Sequence, residues 1–113
     1  MKIEKFGVYS ADLTPAFGTE PGKLRPVVVV QTDLLNNIHP STIICPVTSN
    51  VMKELDSLRV HLSGRDTGLR EDSDILVDQI RAIDNRRFQK KLGTLPLSGR
   101  NKLLENLEQL ILD

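Results

Sequence analysis

The first two-thirds of the chain alternates between short apolar runs and turn-forming residues, which is typical of a β protein. Residues 7–13 carry β-formers in rough alternation and predict the first strand. Residues 14–24 contain prolines and glycines that sustain neither a helix nor a strand ladder, and they predict a loop. Four consecutive valines in residues 26–31 indicate a strand covered on both faces. Pro26 is expected at its first residue or at an edge, because proline cannot donate to the ladder.

Further strands are predicted after this valine strand. Their residues are 41–47, 58–62, 75–83 and 92–95. The first of them is expected to pair antiparallel with the valine strand, because consecutive strands usually lie side by side. The second places Arg59 and His61 on its polar face. A charged, glycine-bearing segment at 64–74 predicts a loop before the long third strand.

The end of the chain changes to a helical period. Its apolar stripe consists of Leu103, Leu104, Leu107, Leu110 and Ile111. This spacing predicts an amphipathic helix with Ser98 as its N-cap and Pro96 just ahead. We expect the stripe to pack on the core rather than to form an interface, because a domain this small needs the helix to cover its core. The predicted fold is mainly β: a small curled antiparallel sheet or barrel with a C-terminal amphipathic helix.

The length and composition narrow the class of protein. A chain of 113 residues predicts one domain over 1–113 and makes a homo-oligomer reasonable. With 15 basic and 15 acidic residues, any nucleic-acid site must come from local clustering of charge. The single cysteine, Cys45, lies in an apolar run, predicts a buried and inert thiol, and fits a reducing compartment. The sequence has neither a secretion signal nor a membrane-spanning stretch, so a cytoplasmic protein without membrane association is expected.

The common catalytic templates do not occur in the sequence. Neither His39 nor His61 has Cys, His or carboxylate partners at the spacing of metal ligands, so no metal and no other cofactor is expected. His61, on the polar face of a strand, is interpreted as a solvated histidine rather than a catalytic one. No phosphate-binding loop, dinucleotide fingerprint or serine-hydrolase motif is found either.

Polar residues stand where two apolar strands begin and end. Arg25 precedes the valine strand, and Thr48 and Ser49 close the next strand. If these strands form a hairpin, the start of one lies beside the end of the other, which brings Arg25 next to the two hydroxyls. A guanidinium beside hydroxyls and loop amides can bind a phosphate. The alternative is an arginine that only caps carbonyl groups at the start of its strand.

A basic stretch near residue 85 is a second candidate. It holds five positive charges in eleven residues: Arg81, Arg86, Arg87, Lys90 and Lys91. Such a stretch fits the backbone of a polyanion, and a solvated basic face is equally consistent with it. Aromatic side chains that stack on bases are scarce. Phe17 in the first loop is the candidate, with a role in the core as the alternative.

Several segments together resemble the MazF/PemK family of toxin ribonucleases. The matching residues are 7–13, Pro15, 18–20, 25–31, 46–49, 68–69, Ser73, 78–84, Arg87 and 92–95. Each segment is weak evidence alone. Together they cover almost the whole chain in the expected order and spacing, which makes the resemblance specific.

The resemblance implies an SH3-like barrel that forms a homodimer and cuts single-stranded RNA, including mRNA, at short preferred sequences. It implies a metal-independent cut that leaves a 2′,3′-cyclic phosphate and a 5′-hydroxyl, and thereby arrests translation and growth. It also implies a cognate antitoxin whose extended tail occupies the RNA groove. In this sequence Arg25 and Thr48 match the family's catalytic pair. The expected substrate-binding residues are Phe17, Thr19, Glu20, Ser49, Ser73, Gln79, Arg81 and Arg87.

The chain departs from the family pattern in three places. Val8 stands where many members have an acidic residue, which puts little of the chemistry in doubt because that residue is not part of the catalytic pair. Thr19 stands where serine is common, so it keeps the hydroxyl but adds a methyl group. Residues 51–56 look individual to this chain, and we expect them to influence which RNA sequence is cut.

Two other functions compete with RNA cleavage. One is a non-catalytic toxin on the same barrel that binds a protein such as DNA gyrase. Relatives of that kind lack the Arg-Pro strand start followed by the Thr-Ser strand end, so Arg25 and Thr48 discriminate against it. The other is a plain nucleic-acid-binding barrel in which the basic stretch is the whole site, and it predicts salt-sensitive binding without product formation.

Overall fold

The computed structural model describes residues 1–20 and 22–113; Pro21, within the predicted loop 14–24, lies outside the described residues. Within them the chain forms seven strands: β1 (Gly7–Asp12), β2 (Leu24–Val29), β3 (Ser41–Thr48), β4 (Arg59–Leu62), β5 (Ser73–Leu76), β6 (Arg81–Asp84) and β7 (Phe88–Thr94). The helices are α1 (Gly64–Thr67) and α2 (Leu97–Leu107), which continues as a π-helical turn over Glu108–Leu112. Two 3₁₀ turns cover Val77–Gln79 and Asn85–Arg87.

The strands form one curled antiparallel sheet in the order β4-β5-β3-β2-β1-β7, with β6 also paired to β3. The predicted mainly β fold with one C-terminal helix is therefore confirmed, and the sheet stays open between β4 and β7 in the described chain. The expected antiparallel pairing of the valine strand with the next strand is confirmed as β2–β3. No helix of the described chain is long and apolar enough to cross a membrane.

The valine strand is buried on both faces, as predicted. Val28 packs in one apolar cluster, which includes Leu103 of α2. Val27 and Val29 point to the other face and pack in a second cluster with Tyr9. The sheet thus separates two small cores, and β2 is held from both sides.

Pro26 is the third residue of β2 and not the first, so of the two expected positions the edge is the one that the structure shows. β2 begins at Leu24 and therefore includes Arg25 in the strand. The pairing of β2 with β3 starts only at Val27, so no ladder bond toward β3 is required from the proline nitrogen. Pro26 thus lies at a local edge of an otherwise interior strand.

The predicted long strand 75–83 is two strands, β5 and β6, separated by the 3₁₀ turn at Val77–Gln79. Both strands pair with the same side of β3. From the Val47–Ile75 pair to the Ile44–Arg81 pair, β3 moves by three residues while the other strand moves by six. The turn takes up the three extra residues, and hydrophobic periodicity alone does not show such a change of register.

Two other predicted boundaries were wrong. The segment 64–74 is not all loop, because it contains α1 and the first residues of β5. The last strand, β7, begins at Phe88 rather than at residue 92, because pairing with β1 extends it through the basic stretch. Lys90 and Lys91 are therefore strand residues opposite Ser10 and Tyr9.

The C-terminal helix begins one residue before the predicted cap. Pro96 occupies the N-cap position, and its carbonyl accepts a hydrogen bond of 3.1 Å from the Arg100 N–H. The expectation that Ser98 is the N-cap was therefore wrong. The apolar stripe divides in two: Leu103 is buried in the core and Leu107 packs against it. The remaining stripe residues are exposed: Leu104, Leu110 and Ile111.

Cys45 is fully buried in β3, as predicted. Burial raises the pKa of its thiol to about 12, and nearby Asp78 adds to the shift. The thiolate is therefore scarce at neutral pH, in agreement with the expected inert cysteine.

Candidate active site

A groove of about 850 Å³ runs across one face of the sheet, between the starts of β2 and β5 and the middle of β7. Its cationic lining residues are Lys23, Arg25, Arg70 and Lys90. Its uncharged polar lining residues are Ser10, Ser49, Ser73 and Gln89. Glu71 is the one acidic residue in the described lining. A concave surface with this charge fits a polyanion better than a neutral or cationic ligand.

The groove wall depends on a close approach of two backbones. Gly68 ends α1 in the left-handed region with φ +75° and lies against β7. A Cβ atom there would lie 2.0 Å from the Leu92 carbonyl oxygen, and one on Gly93 would lie 2.3 Å from the Thr67 carbonyl oxygen. Two glycines therefore bring the α1–β5 segment beside Lys90.

Arg25, near the start of β2, and Thr48, at the end of β3, lie at the same end of this antiparallel strand pair. The ladder between the two strands ends at the Val27–Pro46 pair, two residues short of Arg25 and of Thr48. Arg25 is half-buried, and its Nε donates to the Gly22 carbonyl over 2.8 Å. The predicted closeness of the strand start and the strand end is therefore met at the level of the strands, and direct contact of the two side chains stays a prediction.

Thr48 is half-buried at the last position of β3. Its Oγ1 accepts a hydrogen bond of 3.2 Å from the Asn50 N–H, which turns the chain sharply after the strand. The residues on either side of it, Val47 and Ser49, both line the groove. Among the described residues the Thr48 hydroxyl only accepts a hydrogen bond, so its proton can be donated to a ligand.

The first loop places Phe17 in solvent. Its side chain is 71% exposed, so the alternative role in the core is wrong. The loop is closed by Glu20, which accepts from the Phe17 N–H over 3.1 Å, while Thr19 is exposed at its tip. Phe17 is therefore free to stack on a base, and that role stays a prediction.

The other predicted substrate-binding residues are spread along β5, β6 and the turn between them. Ser73 is buried, lines the groove and donates to the Glu71 carbonyl over 3.0 Å. Gln79 is half-buried in the 3₁₀ turn. Arg81 lies opposite Ile44, and its buried Nη1 has no acceptor among the described residues. This nitrogen is closed to solvent, and the substrate-binding role of Arg81 stays a prediction.

The basic stretch does not form one patch. Arg86 pairs with Asp84, and Arg87 donates to carbonyl groups of the first loop. Lys91 pairs with Glu4 over 3.6 Å, and only Lys90 lines the groove. Because strand neighbours point to opposite faces, β7 separates the two lysines. The structure thus brings Arg25, Ser49 and Ser73 together with Lys90, and leaves the rest of the stretch outside the groove.

Sequence reasoning missed the cations that complete the groove. Lys23 and Arg70 lie in segments predicted to be loops. Gln89, an uncharged lining residue, lies within the basic stretch but was not among the predicted site residues. Their proximity depends on pairings between distant strands. The sequence shows a glycine at position 68, but it does not show that the turn there brings Arg70 to the groove.

A buried ion network beside Thr48 was also missed. Asp74 is fully buried and lies opposite both Thr48 on β3 and His61 on β4. Its carboxylate accepts from Arg59 Nη1 at 3.0 Å and lies 2.6 Å from His61 Nδ1. The other ring nitrogen of His61 lies 2.8 Å from Asp56. His61 is exposed on the polar face of β4, as interpreted, but its two ring nitrogens face carboxylates that only strand register reveals.

The network shifts two pKa values. The pKa of His61 is raised above its ordinary value, first by the hydrogen bond to Asp74 and then by that to Asp56. Burial acts to raise the pKa of Asp74, but the bonds from the Met52 N–H, His61 and Arg59 outweigh it, so that pKa is lowered. Asp74 is therefore ionised and His61 is charged more often than a free histidine. In the described part of the chain, no three His, Cys, Asp or Glu side chains converge as metal ligands.

The chain is similar over its length to a family of toxins. The profile of the PemK-like, MazF-like toxin of type II toxin–antitoxin systems matches residues 4–111. Endoribonuclease EndoA of Bacillus subtilis (strain 168) is 35% identical over 108 residues, which cover 96% of this chain and 93% of that protein.

Solved structures of similar fold include two from Deinococcus radiodurans. A crystal structure of MazF superimposes with a TM-score of 0.86 at 23% identity, covering 100% of this chain and 99% of that chain. A crystal structure of MazE-MazF matches with a TM-score of 0.77 at 24% identity, covering 96% of this chain and 95% of that chain. These likenesses agree with the curled sheet and its terminal helix.

Proposed function

The chain belongs to the PemK-like, MazF-like toxins of type II toxin–antitoxin systems, and on that basis we propose that it is a sequence-specific, metal-independent endoribonuclease of single-stranded RNA. Cleavage of mRNA then inhibits translation and growth. The relative at 35% identity is itself an endoribonuclease by name. The single observation that carries the proposal is a cationic groove lined by Arg25 and by Val47 and Ser49, the two chain neighbours of Thr48.

The groove supports binding of an RNA backbone. Its four cations are spaced along one concave face, and the hydroxyls of Ser49 and Ser73 lie among them. Side chains of these types bind phosphate oxygens and ribose without regard to sequence. Sequence preference is assigned to the first loop and to residues 51–56, which adjoin the groove residues Lys23 and Ser49 along the chain. Phe17 is the side chain there that can stack on an unpaired base.

The proposed reaction is transesterification at phosphorus. The ribose 2′-oxygen forms a bond to phosphorus, and the bond from phosphorus to the 5′-oxygen breaks. The 2′-hydroxyl loses its proton and the 5′-oxygen gains one, which leaves a 2′,3′-cyclic phosphate and a 5′-hydroxyl. Arg25 stabilises the negative charge that develops on the phosphorane oxygens, because it is always charged and presents paired donors.

Arg25 is unsuited to remove the 2′-proton, since a guanidinium has donors only and no lone pair to accept a proton. Thr48 can donate to a phosphorane oxygen or relay a proton, but a hydroxyl is also a weak base. Catalysis therefore rests on charge stabilisation and in-line positioning more than on a strong acid–base pair. A modest turnover number follows from this arrangement.

The proposed partners are RNA, an antitoxin and a second copy of this chain. A MazE-MazF structure is among those of similar fold, so we assign the chain a cognate antitoxin. An extended acidic segment of such a partner would fit the same cationic groove and exclude RNA from it. The homodimer and a cytoplasmic location are part of the proposal, since the target is cellular mRNA.

The competing functions receive less support. Gyrase binding needs neither Arg25 nor Thr48, and the relative at 35% identity is an endoribonuclease. Plain binding through the basic stretch requires a continuous patch. The structure instead engages Arg86 with Asp84, Arg87 with carbonyl groups and Lys91 with Glu4.

One experiment separates the three functions. The purified protein is incubated with single-stranded RNA in excess EDTA, and the ends of the products are examined. The proposal expects fragments with 2′,3′-cyclic phosphate and 5′-hydroxyl ends. Intact RNA at all enzyme concentrations would reject it and leave the gyrase-binding and plain binding functions standing. Cleavage that stops in EDTA would reject metal independence.

A further inference from the structure

We propose that Asp74 is a positioning residue for Thr48, acting through Arg59 and Asn50, and that His61 makes this positioning depend on pH. The inference rests on the proposed function in one respect only, because it takes Thr48 as a residue of the reaction. Neither Asp74 nor His61 touches substrate in this account. They act through the chain segment that follows β3.

A continuous path of hydrogen bonds joins Thr48 to Asp74. Thr48 Oγ1 accepts from the Asn50 N–H at 3.2 Å. The Asn50 carbonyl accepts from Arg59 Nη1 at 2.8 Å, and the same nitrogen donates to Asp74 Oδ2 at 3.0 Å. Asp74 Oδ2 also accepts from the Met52 N–H at 2.9 Å. Two points of the segment after Thr48 are thus fixed by one carboxylate.

The Asp74 carboxylate, at the end of this path, is buried and is therefore held in a fixed position. The Asp74 side chain is 0% exposed, and that of Arg59 is 14% exposed. Ion pairs in such surroundings are screened little by salt, and loss of one partner leaves a buried charge. Asp74 is also anchored by its own strand, directly opposite Thr48. Its charge, rather than its size alone, therefore orders the Thr48–Asn50 turn.

His61 connects this path to the exposed loop before β4. Its Nδ1 faces Asp74 Oδ1 at 2.6 Å, and its Nε2 faces Asp56 Oδ1 at 2.8 Å. A neutral imidazole carries one N–H, so only the doubly protonated ring can donate to both carboxylates. The carbonyl of Asp56 accepts from Asn106 of α2, which also bonds to the Arg59 carbonyl. The helix therefore holds the loop in reach of His61.

The charged groups around His61 come from four elements. They are Asp74 on β5, Asp56 in the loop, Arg59 on β4 and Lys102 on α2, whose side chain lines the adjoining cleft. With His61 protonated, the two carboxylates are balanced by His61 and Arg59. When His61 loses its proton, one carboxylate loses its donor and the path to Thr48 loosens. Positioning is therefore strongest at lower pH and weakens as the pH rises through the raised pKa of His61.

The test compares Asp74→Asn and His61→Gln with the wild-type chain and with Asp33→Asn as the matched control. Asp33 also accepts a hydrogen bond from a backbone N–H, that of Lys5. It lies beyond the C-terminal end of β2, whereas Arg25 lies near the start of that strand. Initial rates on single-stranded RNA give kcat and KM from about pH 6 to pH 9, a range that spans the titration of histidine. Dividing each variant's kcat by that of wild type at the same pH cancels the pH dependence of the 2′-hydroxyl.

The expected pattern is specific. Asp74→Asn lowers kcat roughly tenfold with KM changed less than about twofold, because a misplaced hydroxyl affects the transition state more than binding. The kcat ratio of His61→Gln is about one-fifth at pH 6 and approaches one at pH 9, where wild-type His61 has also lost its second donor. Asp33→Asn keeps a ratio near one. A His61→Gln ratio that does not change with pH, or unchanged kcat in Asp74→Asn, overturns the proposal.

Two further readouts keep the test decisive. If Asp74→Asn does not fold, His61→Gln alone decides, because it retains Asp74 with Arg59 and Met52. If wild type does not cleave RNA, the proposed function fails, and amide hydrogen exchange tests the positioning without activity. Exchange at Asn50 and Met52 is expected to speed up at least about tenfold in Asp74→Asn. Unchanged exchange at both amides would reject the role of Asp74.

Discussion

Thr48, the last residue of β3, lies directly opposite Asp74 of β5. Thr48 thus has a buried carboxylate across the strand pair, at the end of the sheet where Arg25 lines the groove. The next strand, β4, places His61 opposite the same Asp74. The position of Thr48 therefore depends on the pairing of β3 with β5 and of β5 with β4.

Replacement of Thr48 by valine should remove activity without unfolding the protein. Valine has the shape of threonine but lacks the hydroxyl, so Thr48→Val loses the donor to the phosphorane and the acceptor for Asn50. We expect kcat to fall about 100-fold. The lost hydrogen bond should reduce the free energy of unfolding by about 1 kcal/mol. Steady-state cleavage and urea unfolding measure the two effects.

Thr94→Val is the control for this substitution, since Thr94 is an exposed β7 residue away from the groove lining. It should retain cleavage within about twofold of wild type. Equal loss of activity in both variants would show that the hydroxyl of Thr48 has no special part in the reaction.

Adjacent lysines on β7 should differ in their effect on RNA binding. Lys90 lines the groove, whereas Lys91 pairs with Glu4 on the other face. Lys90→Ala should weaken binding and reduce the slope of log affinity against log salt by about 0.7, the value for one contact to a single strand. Lys91→Ala should leave the slope unchanged. A salt titration with fluorescent single-stranded RNA, under conditions that block cleavage, gives both slopes, and identical slopes would argue against RNA in this groove.

Cys45 should resist thiol reagents in the native protein. Burial raises its pKa to about 12, so the thiolate at pH 8 is about a thousandfold scarcer than for a free cysteine, and the side chain is also inaccessible. Labelling with an alkylating reagent should follow global unfolding. Rapid labelling in buffer, at a rate close to that in denaturant, would contradict the buried position of β3.

Two glycines in left-handed conformations should respond differently to alanine. Gly68 and Gly18 have φ values of +75° and +57°, but only a Cβ on Gly68 meets another backbone. Gly18→Ala should cost about 1 kcal/mol of stability from backbone strain alone. Gly68→Ala should cost about 3 kcal/mol, because the strand bearing Leu92 must also move. Urea denaturation distinguishes the two, and equal costs would contradict the close approach of α1 and β7.

Local sequence patterns predicted the β fold because its signals are local. The valine run, the alternation at Val60 and Leu62 and the helical period around Leu103 each record which face is buried. Boundaries that depend on partners were less visible. The 3₁₀ turn at Val77–Gln79 exists because β5 and β6 pair with β3 in different registers. The pattern of hydrophobic residues in the sequence does not show that change of register.

The candidate site was predictable where its residues flank paired strands. Arg25 and Thr48 belong to neighbouring antiparallel strands, so the pairing of these strands brings them to the same end of the sheet. Asp74 and His61 belong to a different pair, and their meeting depends on the register of β4 and β5. The basic stretch was misleading because strand alternation and a 3₁₀ turn direct its charges to different faces.

The most direct test of the account is the cleavage rate of Arg25→Ala on single-stranded RNA in excess EDTA, with Arg86→Ala as the control. Arg86 is an exposed arginine paired with Asp84, outside the groove. We predict that Arg86→Ala cleaves like wild type, and that Arg25→Ala loses cleavage by about 1000-fold or more while keeping the wild-type circular dichroism spectrum. Near-full activity of the Arg25→Ala variant would contradict the account.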